Sequence, residues 1–452
     1  MNESLSNSAG SLLLTAPLAH GDVWDRILIA AIFCGIVALA YLPFGTDFLD
    51  PLLHAFRKGD WGTLATRPTF LWMLMGVSLL LVRTVLWLRY RPYTVGAGDD
   101  MPMLTVIIPA FNEGRMVEKS IDSVASADYP VGRLEIIVVD DGSKDNTWSY
   151  MERAARRHPH LVQAIRFPKN RGKRAALAEG FRRARGEVVV TIDSDSMIEP
   201  GTLRAMVAPF RDEIVGAVAG KVAVLNRRES LLPRMLHVRF ILSFDFLRSA
   251  QSTFGTVYCC PGALAAYRTS IVRRVLAAWE HQTFLGAPCT IGEDRALTNY
   301  ILELGYDSVY QRNAIVHTVV PDTYVKLCKM YLRWNRSFVR EEIRFARIVW
   351  KRKPLKMLAA ALETTITNLR YPVAYISIAL WIAHAAQDPQ AIVRMVFAIG
   401  AVSAFYMLYY LRSERSWDFV FGVLYAYFSL FALSWIFPYA ALTVRARSWL
   451  TR

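Results

Sequence analysis

Residues 187–196 read Glu-Val-Val-Val-Thr-Ile-Asp-Ser-Asp-Ser, and this stretch decides the fold. Its apolar, β-branched run has the composition of a buried strand, and two aspartates follow where the strand ends. This run, at 187–192, is the fourth of its kind in the chain. Three similar runs precede it, at 104–109, 134–140 and 161–167. Helix-like stretches separate them, at 116–127, 146–157 and 173–185. This alternation predicts an α/β domain with a doubly wound, mostly parallel sheet.

Carboxylates follow two of these strands, and such sheets bind ligands at the carboxyl ends of their strands. Asp140 and Asp141 precede Gly-Ser and can accept hydrogen bonds from a base or ribose; the alternative is a helix cap and turn. Asp193 and Asp195 offer hard oxygen ligands to a divalent cation that bridges a diphosphate; the alternative is a capped polar loop. The first strand is followed by neither GxGxxG nor a P-loop, which excludes those two nucleotide fingerprints.

Three further motifs offer groups for chemistry on a phosphorylated substrate. Lys173 begins a predicted helix directly after a glycine, and a helix start of this kind can bind an anionic ligand. The alternative is that the basic residues here form a solvated helix face. Glu293 and Asp294 begin another predicted helix, and one carboxylate of this pair can act as a general base. The alternative is that the pair only stabilises the start of the helix through the helix dipole. Arg333 can grip phosphate oxygens and Trp334 can stack on a sugar ring. Their stretch is amphipathic and also suits a helix that lies on a membrane surface.

Composition indicates a membrane protein that contains one globular domain. The 452 residues include 53 Lys+Arg and 38 Asp+Glu, a net charge of +15, while 54 % are hydrophobic and the mean hydropathy is +0.24. This apolar share argues against a disordered chain and against a purely soluble enzyme. The five cysteines form neither a CxxC motif nor a Cys/His cluster, so no disulfide framework or zinc site is predicted.

Four apolar segments are long enough to span a bilayer, at 27–46, 68–88, 357–386 and 395–411. Basic residues flank them on the side of the central domain, whereas the loop at Asp388 carries none. The positive-inside rule therefore predicts a multi-pass protein of the cytoplasmic (inner) membrane with a cytoplasmic domain. These flanking residues explain much of the net charge, so no nucleic-acid partner is predicted.

From about Leu104 to its last residue, the chain resembles the membrane-embedded processive family 2 glycosyltransferases. The likeness is closest to hyaluronan synthases, chitin synthases and the rhizobial nodulation chitooligosaccharide synthases. Its most specific stretches are 251–262, 292–295, 319–323 and 333–341. The resemblance implies a GT-A type fold, a UDP-sugar donor, Mg²⁺ or Mn²⁺ as cofactor, a growing polysaccharide and a lipid bilayer as partners, and no obligatory protein partner.

The resemblance also implies a role for each candidate residue. Asp294 is the catalytic base, and Asp193 and Asp195 bind the metal and the diphosphate. The nucleotide-sugar contacts comprise Asp140, Asp141, Lys173, Asp193, Asp195, Arg333 and the terminal gating residues Trp449, Thr451 and Arg452. The acceptor contacts comprise Trp334, Glu293, Cys260 and Gly262. One position departs from the family pattern Q-x-x-R-W, because Met330 stands where the family has glutamine and cannot form its hydrogen bonds.

The predicted organisation has five parts. Residues 1–92 hold a tail and two membrane helices, 93–323 the GT-A domain, 324–356 amphipathic interface helices, 357–411 two more membrane helices, and 412–452 an interfacial or re-entrant segment with the terminal motif. That last segment is too short to cross twice, and we expect it to break near Pro438. Glu363 and Arg370 are predicted either to line a path for the polymer or to sit at interfacial depth.

The predicted function is a processive inverting β-glycosyltransferase that polymerises UDP-N-acetylglucosamine and secretes the product. Two alternatives stay open: a hyaluronan-type synthase that alternates this donor with UDP-glucuronate, and an enzyme that transfers a single sugar to a lipid. A non-enzymatic subunit with a dead transferase domain is disfavoured, because the carboxylates are present at every motif.

Overall fold

The buried runs identified in the sequence form the strands of a central sheet in the computed structural model, which describes residues 22–41, 58–59, 68–94 and 101–446. The strands of this sheet are β1 Leu104–Ala110, β2 Leu134–Asp140, β3 Val162–Arg166, β4 Val188–Thr191, β5 Ser196–Ile198, β6 Val215–Val224, β7 Ala265–Arg268 and β10 Asp307–Thr318. A separate two-stranded hairpin pairs β8 Thr283–Phe284 with β9 Ala287–Pro288. The four predicted strands are β1 to β4, and each observed end lies within one residue of the predicted one.

The described part of the sheet has the order β3-β2-β1-β4-β7-β6-β10-β5. Strands β3, β2, β1 and β4 are parallel, which confirms the doubly wound α/β half. The other half is mixed, because β7 runs antiparallel to both β4 and β6, and β5 runs antiparallel to β10. The prediction of a mostly parallel sheet therefore holds for the half that carries Asp140 and Asp193.

The described helices are α1 Val23–Tyr41, α2 Pro68–Arg89, α3 Met116–Ala125, α4 Thr147–Arg157, α5 Lys173–Arg183, α6 Thr202–Val207, α7 Leu231–Phe240, α8 Arg248–Ser252, α9 Thr269–Glu280, α10 Glu293–Glu303, α11 Tyr324–Ile348, α12 Pro354–Ala385, α13 Gln390–Glu414, α14 Phe419–Phe428 and α15 Ile436–Leu442. Two π-helical segments, Ile241–Leu247 and Ser429–Leu433, join α7 to α8 and extend α14. Short 3₁₀ turns follow α6 and α11.

Helices cover both faces of the sheet. Successive residues of a strand point to opposite faces, so each strand packs against helices on both sides. In β1, Val106 and Ile108 pack with α3 and α4, whereas Ile107 packs with Leu177 and Phe181 of α5. All of these side chains are buried. Helices on both faces leave the carboxyl ends of the strands as the open edge of the domain.

Two described helices are long and apolar enough to cross a membrane, at Val23–Ala40 and Gln390–Glu414. The other two predicted spans form α2 and α12, which stay predictions as membrane crossings. The last apolar segment is a bent pair, with 45° between Phe419–Leu433 and Ile436–Leu442. The bend lies just before α15, so Pro438 falls in the first turn of that helix, where a proline is tolerated.

Ion pairs and hydrogen bonds fasten the sheet domain to the helices around α13. Lys221 of β6 pairs with Glu414 at 2.9 Å, and Ser413 donates to Asp245 at 3.0 Å. On the other side of α13, Arg412 pairs with Asp25 of α1 at 2.7 Å. Asp25, Asp245, Arg412 and Ser413 are buried, and the side chains of Lys221 and Glu414 are only slightly exposed. Removing one partner of such a pair is costly. The sheet domain therefore packs on the apolar helices in a fixed orientation.

Candidate active site

Asp140 and Asp141 lie at the carboxyl end of β2, and both are buried. Asp140 accepts the Ser143 N–H at 2.9 Å, and Arg166 lies 3.3 Å from its other oxygen. Asp141 accepts the backbone N–H groups of Arg171 and Gly172 at 2.7 and 2.8 Å. Burial raises the pKa of Asp141, and the neighbouring Asp140 adds to the rise. Asp141 thus holds the loop that leads into Lys173. It therefore stabilises a turn, as one prediction had it, and lies beside the candidate site, as the other had it.

Lys173 begins α5 and brings the ends of two other elements together. Its ammonium pairs with Asp193, which follows β4, and lies 3.2 Å from Glu293 of α10. Burial alone lowers the pKa of Lys173, but Asp193 and Glu293 outweigh it and raise the pKa above its ordinary value. The lysine is therefore a fixed positive charge beside the predicted metal ligands. Gly262 packs tightly here, because a Cβ at this position would lie 2.8 Å from the lysine nitrogen.

Asp193 and Asp195 flank the turn between β4 and β5. Asp195 accepts hydrogen bonds from Ser196 and from Thr318 of β10, both at 3.3 Å. In the described parts of the chain, no cluster of three or more His, Cys, Asp or Glu side chains is arranged for a metal ion. Two carboxylates nevertheless fit Mg²⁺ or Mn²⁺ when a diphosphate supplies further oxygens, which is how Mg²⁺ is commonly held.

Glu293 and Asp294 form the first turn of α10, behind the left-handed Gly292 at φ +74°. A Cβ at Gly292 would lie 1.8 Å from Ser337 Oγ, so only glycine lets α10 begin against α11. Burial raises the pKa of Asp294, and the adjacent Glu293 raises it further. Burial also raises the pKa of Glu293, but Lys173, Arg333, Arg174 and a backbone hydrogen bond together outweigh burial, so the net direction is downward. Asp294 is therefore the more basic carboxylate of the two.

The loop after α8 contacts Asp294 directly. Gly262 N–H donates to Asp294 Oδ2 at 3.2 Å, and Cys259 Sγ lies 3.6 Å from the same oxygen. Cys260 is buried in the core, with its backbone N–H donating to Thr298 at 3.1 Å. The structure thus places Cys259 on the cavity wall and the side chain of Cys260 behind it.

Helix α11 supplies the opposite wall with Arg333, Trp334 and Met330. Trp334 is 39 % exposed, and its ring lies 6.1 Å from the ring of Phe240 and 5.7 Å from that of Tyr331. Met330 is buried against the core and lines the same cavity. The cavity wall around Met330, the position that differs from the family motif, is therefore aromatic and apolar.

One cavity of about 460 Å³ joins these residues to the apolar helices. Its lining includes Lys173, Asp193 and Asp294 of the sheet domain, together with Arg83 of α2 and Glu363 of α12. Arg83 Nε donates to Glu363 at 3.0 Å, and its Nη2 donates to Thr367 at 3.0 Å. Arg370 and Tyr371 of α12 line the same space. The cavity is thus continuous from the carboxylates of Asp193 and Asp294 to the polar groups between α2 and α12.

The structure brings together the predicted residues Lys173, Asp193, Asp195, Gly262, Glu293, Asp294, Arg333 and Trp334. Asp140 and Asp141 lie on the adjoining strand end, whereas Trp449, Thr451 and Arg452 lie outside the described residues. Sequence reasoning assigned no role to Cys259. It also did not identify Arg248, whose Nε donates to the Cys259 carbonyl, or the pairing of Arg83 with Glu363. The pair of adjacent cysteines carried a signal, but the sequence does not distinguish which thiol faces the cavity.

Comparison with protein families matches residues 105–276 to the family described as Glycosyl transferase family 2. An N-acetylglucosaminyltransferase of Azorhizobium caulinodans is 31 % identical over 352 residues, which cover 78 % of this chain and 87 % of that protein. A hyaluronan synthase of Streptococcus pyogenes is 30 % identical over 436 residues, which cover 94 % and 97 %. The likeness to these relatives thus extends well beyond the family match, through Asp294 and Arg333.

Among solved structures, the mannosyltransferase PcManGT from Pyrobaculum calidifontis is similar in fold. That structure holds GDP-Man and Mn²⁺. It aligns with a TM-score of 0.55 at 25 % identity, over 90 % of this chain and 99 % of the mannosyltransferase.

Proposed function

The chain belongs to glycosyltransferase family 2, and from that premise we propose that it is a processive, inverting enzyme. It polymerises a sugar from UDP-N-acetylglucosamine and passes the product across the cytoplasmic membrane. The observation that carries this proposal is the cavity that runs from Asp193 and Asp294 to the Arg83–Glu363 pair. A transferase that released a single small product would have no need of a path from its base to its own apolar helices.

The donor end of the site is built to hold a nucleoside diphosphate. Asp140 and Asp141 lie where a base and ribose bind, and Asp141 fixes the loop before Lys173. Lys173 and Arg333 face the diphosphate, and we assign the terminal Trp449, Thr451 and Arg452 to nucleotide binding as well. Asp193 and Asp195 would hold a Mg²⁺ or Mn²⁺ ion, and such an ion would supply positive charge against the leaving diphosphate. Electrostatic stabilisation of this kind is often the largest single contribution to catalysis.

At the acceptor end, Asp294 is the general base. It takes the proton of the acceptor hydroxyl as the oxygen bonds to the anomeric carbon and the bond from that carbon to UDP breaks. Attack from the face opposite UDP inverts the configuration in a single displacement. Stacking on Trp334 and contact with the loop at Gly262 hold the acceptor in line, which lowers the entropic cost of the reaction.

The lining of the cavity suits a neutral polymer. Among the described residues it includes seven basic side chains, Arg83, Lys173, Arg239, Arg248, Arg295, Arg333 and Arg370, and six acidic ones, Asp193, Asp195, Glu293, Asp294, Glu342 and Glu363. Such a balance neither attracts nor repels an uncharged sugar chain strongly. In this proposal α1, α2, α12 and α13 cross the cytoplasmic membrane, and the sheet domain lies in the cytoplasm. The growing polysaccharide then leaves the cell through the synthase itself.

A hyaluronan-type synthase is the second candidate. It is favoured by the hyaluronan synthase relative, whose likeness covers 94 % of this chain. Such an enzyme needs UDP-glucuronate as a second donor and yields a polyanion, and the balanced wall argues for the single-donor alternative.

The test is UDP release by detergent-purified protein with Mg²⁺ or Mn²⁺. UDP-N-acetylglucosamine, UDP-glucuronate and UDP-glucose are offered singly and in pairs, and products are sized. We expect turnover with UDP-N-acetylglucosamine alone and a ladder of products. Turnover only with UDP-glucuronate present would identify the heteropolymer instead. Asp193→Asn and Asp294→Asn should each abolish transfer, whereas Asp128→Asn, at an exposed surface pair with Arg204, should not.

A further inference from the structure

The carboxylate of Asp294 is held on both of its oxygens. Oδ1 accepts the N–H of Arg295 at 2.7 Å, and Oδ2 accepts the N–H of Gly262 at 3.2 Å. The third contact is the thiol of Cys259, whose sulfur lies 3.6 Å from Oδ2. Two of the three groups therefore come from one loop, and Cys259 is the one whose side chain makes the contact.

The thiol of Cys259 is a donor here because it is protonated. Burial raises the pKa of Cys259, and the charge of Asp294 raises it further. A thiol S–H is a weak donor, and an ionised carboxylate is the strongest kind of acceptor it can meet in a protein. The backbone of Cys259 is itself fixed, since its carbonyl accepts Arg248 Nε at 3.1 Å.

We propose that Cys259 is a positioning residue that donates its S–H to Asp294 Oδ2, fixing the orientation of the catalytic carboxylate and limiting its basicity. This rests on the proposed function, because it takes Asp294 as the base. The other titratable or charged groups that face Asp294 from the surrounding elements are Glu293, Lys173, Arg248, Arg295, Cys260 and Tyr267. None of them donates a side-chain hydrogen bond to Oδ2 among the contacts that the structure describes.

The first test is the pH dependence of kcat/KM for Cys259→Ala and Cys259→Ser. Loss of a donor to the ionised form raises the pKa of an acid, so the alanine variant should move the acid limb to higher pH by about half a unit. The serine variant keeps a hydroxyl donor and should restore the wild-type limb. Cys328→Ala, a thiol on α11 packed against the core, is the control for removing a cysteine. An acid limb that stays in place in the alanine variant overturns the proposal.

The second test needs no turnover and separates this proposal from the proposed function. The purified full-length protein is treated with methyl methanethiosulfonate, and modification of each cysteine is followed by peptide mass spectrometry. In Asp294→Asn the negative charge beside the thiol is gone, so Cys259 should react roughly threefold faster or more, while Cys328 keeps its rate. An unchanged rate at Cys259 overturns the contact. Inactivity with every donor, together with this acceleration, overturns only the assigned substrate.

Discussion

Glu293 and Asp294 are neighbours in sequence with opposite protonation preferences. Glu293 points to Lys173, which stabilises its charge, whereas Asp294 is held by the loop at Gly262 and feels the charge of Glu293. Two carboxylates whose environments separate their pKa values are the usual arrangement behind an acid–base assignment. These opposite pKa shifts support Asp294, rather than Glu293, as the base in the proposed mechanism.

The first prediction concerns the acid limb of activity. Asp294 acts only when ionised, so activity falls as the pH drops through its raised pKa, at higher pH than for an ordinary aspartate. Glu293→Gln removes a charge that raises this pKa, so the limb should move to lower pH by about half a unit or more. Profiles of kcat/KM against pH measure it. Glu303→Gln, at the far end of α10, should leave the limb where it is.

Trp334 carries the second prediction, because its exposed ring faces the cavity. Trp334→Ala removes a stacking surface worth about 1 kcal/mol, or about a fivefold faster loss of the acceptor. Product sizing should show shorter chains. Trp334→Phe keeps a flat ring and should retain most of the length; equal shortening in both variants would contradict stacking as the cause.

Single residues also show where sequence reasoning stops. The carboxylates at the ends of β2 and β4 were predicted because each follows an apolar strand. The choice between Cys259 and Cys260 was not predictable, because it depends on how the loop turns against α10. The pairing of Arg83 with Glu363 was not predictable either, because the two residues stand 280 positions apart in the sequence.

At the scale of elements, strands β1 to β4 were predictable and strands β5 to β10 were not. The first four alternate with amphipathic helices, so local pattern and fold agree. Strand β7 has four residues and lies antiparallel between β4 and β6, a placement set by distant contacts alone. The same limit applies to the break in the last apolar segment, which was expected near Pro438 and lies just before α15.

The third prediction concerns the contact between α2 and α12. Arg83→Ala or Glu363→Ala leaves the other, largely buried charge without its ion-pair partner, a loss of at most about 3–5 kcal/mol. Each variant should melt at a distinctly lower temperature in detergent. The double variant should recover part of this loss, because it removes both charges. Additive losses in the double-mutant cycle would show that the pair does not couple the helices.

For the whole molecule, the arrangement of the domain on its helices predicts a topology. The loop around residue 387 should face the outside and the loop at 415–418 the cytoplasm, by the asymmetry of basic residues. Gln387→Cys in a Cys34→Ala background should react with a membrane-impermeant maleimide in intact cells. Ser416→Cys should react only after the membrane is opened. Labelling of both in intact cells would contradict this orientation.

The continuous cavity has a consequence for the cell that houses the enzyme. A passage that admits a hydrated sugar chain also admits water and small ions. If the product leaves through this cavity, as proposed above, it would itself block the passage during synthesis. Once the polymer departs, the Arg83–Glu363 pair and the residues around it, which line the cavity, would have to close the passage. Early release of the polymer would therefore open a path for ions. The length of the polymer would then also set how long the cell maintains its ion gradients.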